Sequence, residues 1–148
     1  MTKPIDPPRA HIVKTLTLTA SPPRVWRALT DPSELVEWFP DESADVAVTP
    51  GGEGAWVWAN HGAYAVRFEV VEPHSRLVWS WARDPNTALV DTVVTTVEFR
   101  LEPSANGGTV LHLSESGFVK EADRQGNEEG WAKELGELAA YLKLEPNS

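Results

Sequence analysis

The chain has 148 residues, with 22 Asp and Glu against 13 Lys and Arg, and a formal net charge of -9. It has no cysteine, which excludes disulfides, thiolate metal sites and a cysteine nucleophile. A surface this acidic repels phosphate backbones and anionic lipid, so nucleic acid and a membrane surface are excluded as partners.

The length suits one domain, which can bury a core without staples. No run approaches the roughly 20 apolar residues of a membrane span. The opening, MTKPIDPPRA, has no apolar run. No secretory signal is therefore expected, and the chain reads as cytoplasmic.

Residues 1–10 carry three prolines and no periodicity, and are expected to be a loose tail before a domain over 11–145. From His11 to Thr19, Leu16 and Leu18 alternate with Thr15, Thr17 and Thr19, the pattern of a half-buried strand. Ser21 with Pro22 starts a short helix on which Val25 and Leu29 share a face. Asp31 with Pro32 starts a second at once, and Glu34 stands where it would complete a capping box. Both helices should end by Pro40.

The middle of the chain reads as strands and tight turns. After Pro50-Gly51-Gly52, Trp56 and Trp58 share one strand face. Asn60-His61-Gly62 turns the chain. Tyr64, Val66, Phe68 and Val70 then lie opposite Arg67 and Glu69. Past Pro73-His74-Ser75, Leu77, Trp79 and Trp81 align on a strand expected to neighbour that of Trp56 and Trp58. Val93, Thr95, Val97, Phe99 and Leu101 form the clearest alternation, with Asp91 on the same face. Asn106-Gly107-Gly108 turns into a last strand carrying Leu111, Leu113 and Glu115 together. Asn127 is expected to cap a final helix, with Gly130 in its first turn. On it, Trp131, Leu135, Leu138 and Leu142 make one apolar stripe, and Pro146 ends it.

Strands joined by short turns pair antiparallel, and one face of the sheet must be covered. Only the last helix is long enough to cover it. The expected class is α+β: an antiparallel sheet gripping one helix.

The segments VWRALTDPSELVEWF, VVEPHSRLVWSW, TTVEFRLEPSANGGTVLHLSESGF and GWAKELGELAAYL, in this order, resemble the family homologous to the activator of the 90-kDa heat-shock-protein ATPase. That family belongs to the START-like, pollen-allergen-like (SRPBCC) superfamily. The resemblance runs from about His11 to Leu144. It implies the helix-grip fold: seven antiparallel strands curled about the C-terminal helix, two short helices after strand 1, and a cavity often used for lipids, polyketides or other apolar ligands. It implies no single activity. Many members carry a His in the last strand where this chain has Glu115, so a proton-transfer role carried over to that position is in doubt.

The seven tryptophans suit either a ligand-lining space or a Trp-rich core. With the resemblance, the expected lining is Trp56, Trp58, Tyr64, Phe68, Trp79, Trp81, Thr95, Val97, Glu115, Trp131, Leu135 and Leu138. Glu115 and Asp91 on apolar faces must be paired, neutralised or near water. Glu115 is read as a polar anchor or a structural carboxylate, and Asp91 as a strand-end residue. His11, His61, His74 and His112 have no metal-ligand spacing, with His61 near the cavity mouth and His112 facing away from the helix. No nucleophile elbow, phosphate loop or dinucleotide fingerprint occurs. No cofactor or metal is expected. Gly136 inside the last helix is expected to enlarge the space beneath it.

Three functions compete. The first is non-catalytic binding of a small hydrophobic or aromatic ligand. The second is a cyclase, dehydratase or hydrolase using a cavity carboxylate, for which Glu115, Asp91, Tyr64 and His61 form no recognisable constellation. The third is a co-chaperone contact, suggested by the family name alone. A sheet edge, or Trp38 and Phe39 taken as exposed loop residues, could mediate a homodimer, though nothing in the sequence requires one.

Overall fold

The computed structural model describes residues 11–144. The expected tail over 1–10 and the stop at Pro146 lie outside them. In chain order the elements are β1 (His11–Leu18), α1 (Pro22–Thr30), α2 (Pro32–Trp38), β2 (Ser43–Val46), β3 (Glu53–Trp58), β4 (Gly62–Glu72), β5 (Arg76–Ala82), a 3-10 turn at Leu89–Asp91, β6 (Val94–Pro103), β7 (Thr109–Ser116) and α3 (Glu121–Leu144). The seven strands form one antiparallel sheet in the order β1-β7-β6-β5-β4-β3-β2. The α+β helix-grip architecture, with two short helices after the first strand, is the one the sequence implied.

The meander from β2 to β7 runs through short connections except between β5 and β6, which are joined by the longer segment 83–93 that contains the 3-10 turn, and β1 closes the far edge against β7. The buried stripe of α3, Trp131, Leu135, Leu138 and Leu142, packs into the same core as the inward residues of the sheet. Those inward residues include Phe68, Leu77, Trp79, Val97, Phe99, Leu111 and Leu113. The helix is held by this apolar face and by the hydrogen bonds beneath it, because two glycines within its first ten residues lower its intrinsic propensity.

Several local expectations need correction. α3 begins at Glu121, six residues before Asn127. Glu121 and Asp123 occupy its first turn, where acidic groups suit the dipole. Arg83 Nε donates to Asp123 at 2.7 Å and Arg124 donates to Glu121 at 2.8 Å, holding the turns before Asn127 in the helix despite Gly126. Gly130 is therefore interior to the helix. Gly136 faces solvent and does not enlarge the core.

Asp91 ends the 3-10 turn, exposed, and is on no strand face. Asp31 accepts from Ser33 N–H at 2.9 Å as a cap should, but Glu34 does not complete a capping box. Its carboxylate instead accepts from Arg24, Arg27 and Tyr141. Trp38 and Phe39 are buried, at 3% and 6% exposure, and offer no surface for a dimer. The strands of Trp56/Trp58 and Trp79/Trp81 are not neighbours, since β4 lies between β3 and β5. β4 itself shifts register between Phe68 and Val70. The bulge inverts the alternation, so Val71 opposite Leu77, rather than Val70, packs on the core.

Candidate functional site: an aromatic cleft backed by a buried carboxylate

Phe39 follows α2 directly and sits in the middle of the space between sheet and helix. Its ring stacks on Trp131 at 5.4 Å with 10° between planes. It meets Trp56 at 5.3 Å and Trp58 at 5.2 Å, both edge-on. It lies 6.0 Å from Trp79 and 6.2 Å from Trp81. The α2 helix thus delivers one ring that fills the region where the sequence left open a ligand-lined cavity. Edge-to-face and offset pairs of this kind add about 0.5–1.5 kcal/mol each beyond area burial.

The open space lies beside this cluster, where α3 passes the β3–β4 turn and the end of β5. One lobe, about 390 Å³, is lined by residues including Trp58, His61, Tyr64, Trp81, Asn127 and Gly130. An adjoining lobe of about 370 Å³ shares Trp58, His61, Trp81, Gly126, Asn127 and Gly130, and adds Phe39, Asp41, Trp131 and Glu134 among others. The glycines at 126 and 130 are four apart, so they lie one turn above the other on the helix. A Cβ built at either meets nothing within 4 Å. On the sheet side Trp58, Tyr64 and Trp81 pack together, with ring centroids 5.5 to 6.3 Å apart.

Glu115 lies directly behind this wall and is 0% exposed. Its Oε2 accepts from Trp81 Nε1–H at 2.8 Å and from the Thr95 hydroxyl at 2.6 Å. Its Oε1 accepts from Trp131 Nε1–H at 2.8 Å. The Asn127 amide donates to both oxygens, at 3.1 and 3.2 Å. Four side chains from β5, β6 and α3 therefore converge on one carboxylate of β7, and none of the four is cationic. The group is solvated by neutral dipoles, which is what a buried carboxylate requires when no counter-charge is present. With its donors in place it is structural: it fixes Trp81, Asn127 and Trp131, three residues that wall the cleft.

The expected lining residues divide accordingly. Trp58, Tyr64, Trp81 and Trp131 do wall the cleft. Trp56, Phe68, Trp79, Val97, Leu135 and Leu138 are packed in the core and are not among the residues lining it. Thr95 is buried and spends its hydroxyl on Glu115. His61 stands at the mouth of both lobes, whereas the exposed Asp91 lines neither lobe. Phe39, Asn127 and Glu134 were not foreseen. Asn127 had a readable signal, lying four residues before Trp131 on the same helical stripe.

Among the described residues no group of three or more His, Asp or Glu side chains is placed to hold a metal ion. No described helix is long and apolar enough to cross a membrane.

Comparison with known proteins agrees with this architecture. Protein MLL2253 from Mesorhizobium loti superposes with a TM-score of 0.81 at 24% identity, over 92% of this chain and 98% of that one. Protein NE0264 from Nitrosomonas europaea gives 0.75 at 27% identity, over 97% and 100%. The Aha1 dimer from Colwellia psychrerythraea gives 0.71 at 22% identity, over 87% and 92%. No curated protein matches the chain in sequence. The family model described as Activator of Hsp90 ATPase homolog 1-like protein matches residues 19–143, nearly the whole described fold, and the chain belongs to that family.

Proposed function

We propose that the protein is a non-catalytic, cytoplasmic binder of a small hydrophobic or aromatic molecule, held in the cleft between α3 and the β3–β5 edge of the sheet. One observation carries this reading. Trp58, Tyr64 and Trp81 present a continuous aromatic wall opposite a helix stripped of side chains at Gly126 and Gly130. Glycine in a helix interior costs about 1 kcal/mol relative to alanine, and two such positions facing one groove are accounted for by the space they keep open. The combined lobes are of the size that small ligands occupy. A family built on this fold supports a ligand-binding role without naming the ligand. Glu115 supports binding rather than catalysis, because its donors occupy both oxygens and leave no lone pair directed at the cleft.

The test is a tryptophan-fluorescence titration with flavonoids, aromatic polyketides and fatty acids, on the parent chain and on Gly126→Leu and Gly130→Leu. Saturable quenching that is lost in both variants supports the reading. The variants should melt no lower than the parent, since leucine is the better helix former by about 0.8 kcal/mol. Quenching that survives both substitutions places the ligand elsewhere and overturns it.

A further inference from the structure

Glu115 sorts the polarity of the cleft wall. Its two oxygens gather the indole N–H groups of Trp81 and Trp131, the Thr95 hydroxyl and the amide NH2 of Asn127. These donors are all spent behind the wall. Asn127 differs from the other three, because a side-chain amide carries donors at one end and an acceptor at the other. Its nitrogen lies 3.1 and 3.2 Å from the two Glu115 oxygens. Turning the amide round would set its carbonyl oxygen against the carboxylate, lone pair to lone pair, so its orientation is fixed. Asn127 Oδ1 is thus directed away from Glu115. It has no hydrogen-bond partner among the described residues, and it is not sealed in the core.

Asn127 lines both lobes of the cleft, flanked by Gly126 and Gly130. The glycines carry no side chain, so nothing on that part of α3 shields the Asn127 oxygen. The other polar groups of the first lobe set no such polarity. The Tyr64 hydroxyl and the His61 imidazole can each give or accept a hydrogen bond, and the Trp58 N–H only gives one. Arg83, the cation of this lobe, is held by Asp123 at 2.7 Å and Asp84 at 3.0 Å and offers no net positive charge to an anion. The oriented side-chain acceptor of the lobe is Asn127 Oδ1.

We propose that the cleft selects a neutral aromatic molecule bearing a phenolic hydroxyl, with Asn127 Oδ1 accepting from the hydroxyl, the rings of Trp58, Tyr64 and Trp81 covering the body, and Glu115 as the positioning residue that keeps the Asn127 amide turned this way. This rests on the cleft being the ligand site and specifies the class of ligand. A ligand with a methyl group in place of the hydroxyl strips water from Oδ1 and returns no donor. One with a group that only accepts brings two lone pairs together.

Two measurements on the whole chain test it. The first needs no ligand. The side-chain amide NMR signals of Asn127, assigned by their loss in Asn127→Leu, should exchange with water at least about tenfold more slowly than those of the exposed Asn60. Exchange as fast as that of Asn60 overturns the fixed orientation. The second is equilibrium dialysis with three biphenyls that carry a hydroxyl, a methyl or a nitrile at the para position: a donor, neither, and an acceptor. The hydroxyl-to-methyl affinity ratio should fall about fivefold in Asn127→Leu, the worth of one net hydrogen bond. Leucine is close to asparagine in size and leaves Glu115 its other three donors, so the fold should persist, checked by its melting curve. Glu115→Gln sets one oxygen and one NH2 group behind Asn127, which can then bond in either orientation. The nitrile should gain about fivefold on the methyl probe in that variant, whereas lost support alone would weaken all three probes alike. An unchanged hydroxyl-to-methyl ratio in Asn127→Leu overturns the phenolic class and leaves the cleft reading standing. A nitrile that gains nothing in folded Glu115→Gln overturns the role of Glu115; if that variant does not fold, the exchange measurement decides the role. No binding by any of the three overturns the cleft reading and the ligand class with it.

Discussion

The indole N–H of Trp131 donates to Glu115 Oε1 at 2.8 Å, and this bond ties the first half of α3 to the inward face of β7. The same ring stacks on Phe39, so the helix, the sheet and the end of α2 meet at one tryptophan. Trp81 makes the matching bond from β5 to Glu115 Oε2, also at 2.8 Å. The two indoles are held from behind by a carboxylate while they present carbon to the cleft. This arrangement lets this part of the apolar wall be rigid, since Trp81 and Trp131 each have their one donor satisfied inside the protein.

Replacing Glu115 therefore tests the wall rather than a reaction. Glu115→Gln keeps the shape but turns one acceptor oxygen into an NH2 group facing an N–H or O–H donor. At least one buried donor is orphaned, and the expected loss is about 2–3 kcal/mol. Glu115→Leu orphans the donors of Trp81, Thr95, Asn127 and Trp131 together and should cost more. Urea melts read both. Unchanged midpoints would mean that the four donors find other partners.

The strands, their order and the gripping helix were legible because periodicity reports burial, and burial is what the sheet and α3 share. Leu111, Leu113 and Glu115 were placed on one face by alternation alone, and that face is buried. Less legible was what fills the interior. Nothing local marks Phe39, which follows α2 with irregular backbone and reaches its place only through the path of α2. The early start of α3 was hidden because Gly126 argues against a helix, while the Arg83–Asp123 pair that supports it spans 40 positions. The β4 bulge was invisible for a similar reason: Val70 and Val71 are both strand formers, and only pairing with Leu77 and Val78 decides which one faces inward. The empty side of the cleft left its trace only as glycines at 126 and 130.

A second buried charge holds the opposite end of the core. Arg24 is 3% exposed and donates to Glu34 Oε1 at 2.6 Å, where the Tyr141 hydroxyl also donates at 2.9 Å. Its guanidinium lies 5.6 Å over the Tyr141 ring, so α1, α2 and α3 are linked at this point. Glu34→Ala leaves a buried guanidinium without its counter-ion and should cost about 3–5 kcal/mol. Arg24→Met with Glu34→Leu replaces both by apolar groups of similar size and should recover most of that loss. Chemical denaturation of the single and double variants measures the difference. A double variant no better than Glu34→Ala would mean that Arg24 is not the group left stranded.

Phe39→Ala removes the ring at the centre of the aromatic cluster. The neighbours Trp56, Trp58, Trp79, Trp81 and Trp131 are held by strands and helix and can collapse only partly, so the expected cost is about 3–5 kcal/mol. The vacated volume joins the cleft, because Phe39 lines its second lobe. The variant should therefore be less stable yet accept bulkier aromatic ligands than the parent. Melting temperature and titration with a ligand series of increasing ring number test the two halves separately. A stable variant with unchanged ligand size preference would mean that the cluster closes over the gap.

The Glu134 carboxyl gives stability a pH dependence of definite sign. Its ordinary value is 4.5, and burial, followed by Glu137 and Asp41, raises it to about 7 in the fold. Between these values the native chain holds a proton that the unfolded chain has lost. Folding is then linked to proton uptake, and this group's contribution falls as pH rises from 4.5 to about 7 and is level above. Glu134→Gln removes the titration, so its stability relative to the parent should improve across that window. After screening by solvent at a partly exposed site, the gain above about pH 7 should be on the order of 1 kcal/mol. Urea midpoints of both chains at about pH 5 and about pH 8 measure it directly. The variant should overtake or close on the parent only at the higher pH. An equal difference at both values would mean that Glu134 ionises as an ordinary carboxylate and that its buried oxygen finds a donor in solution.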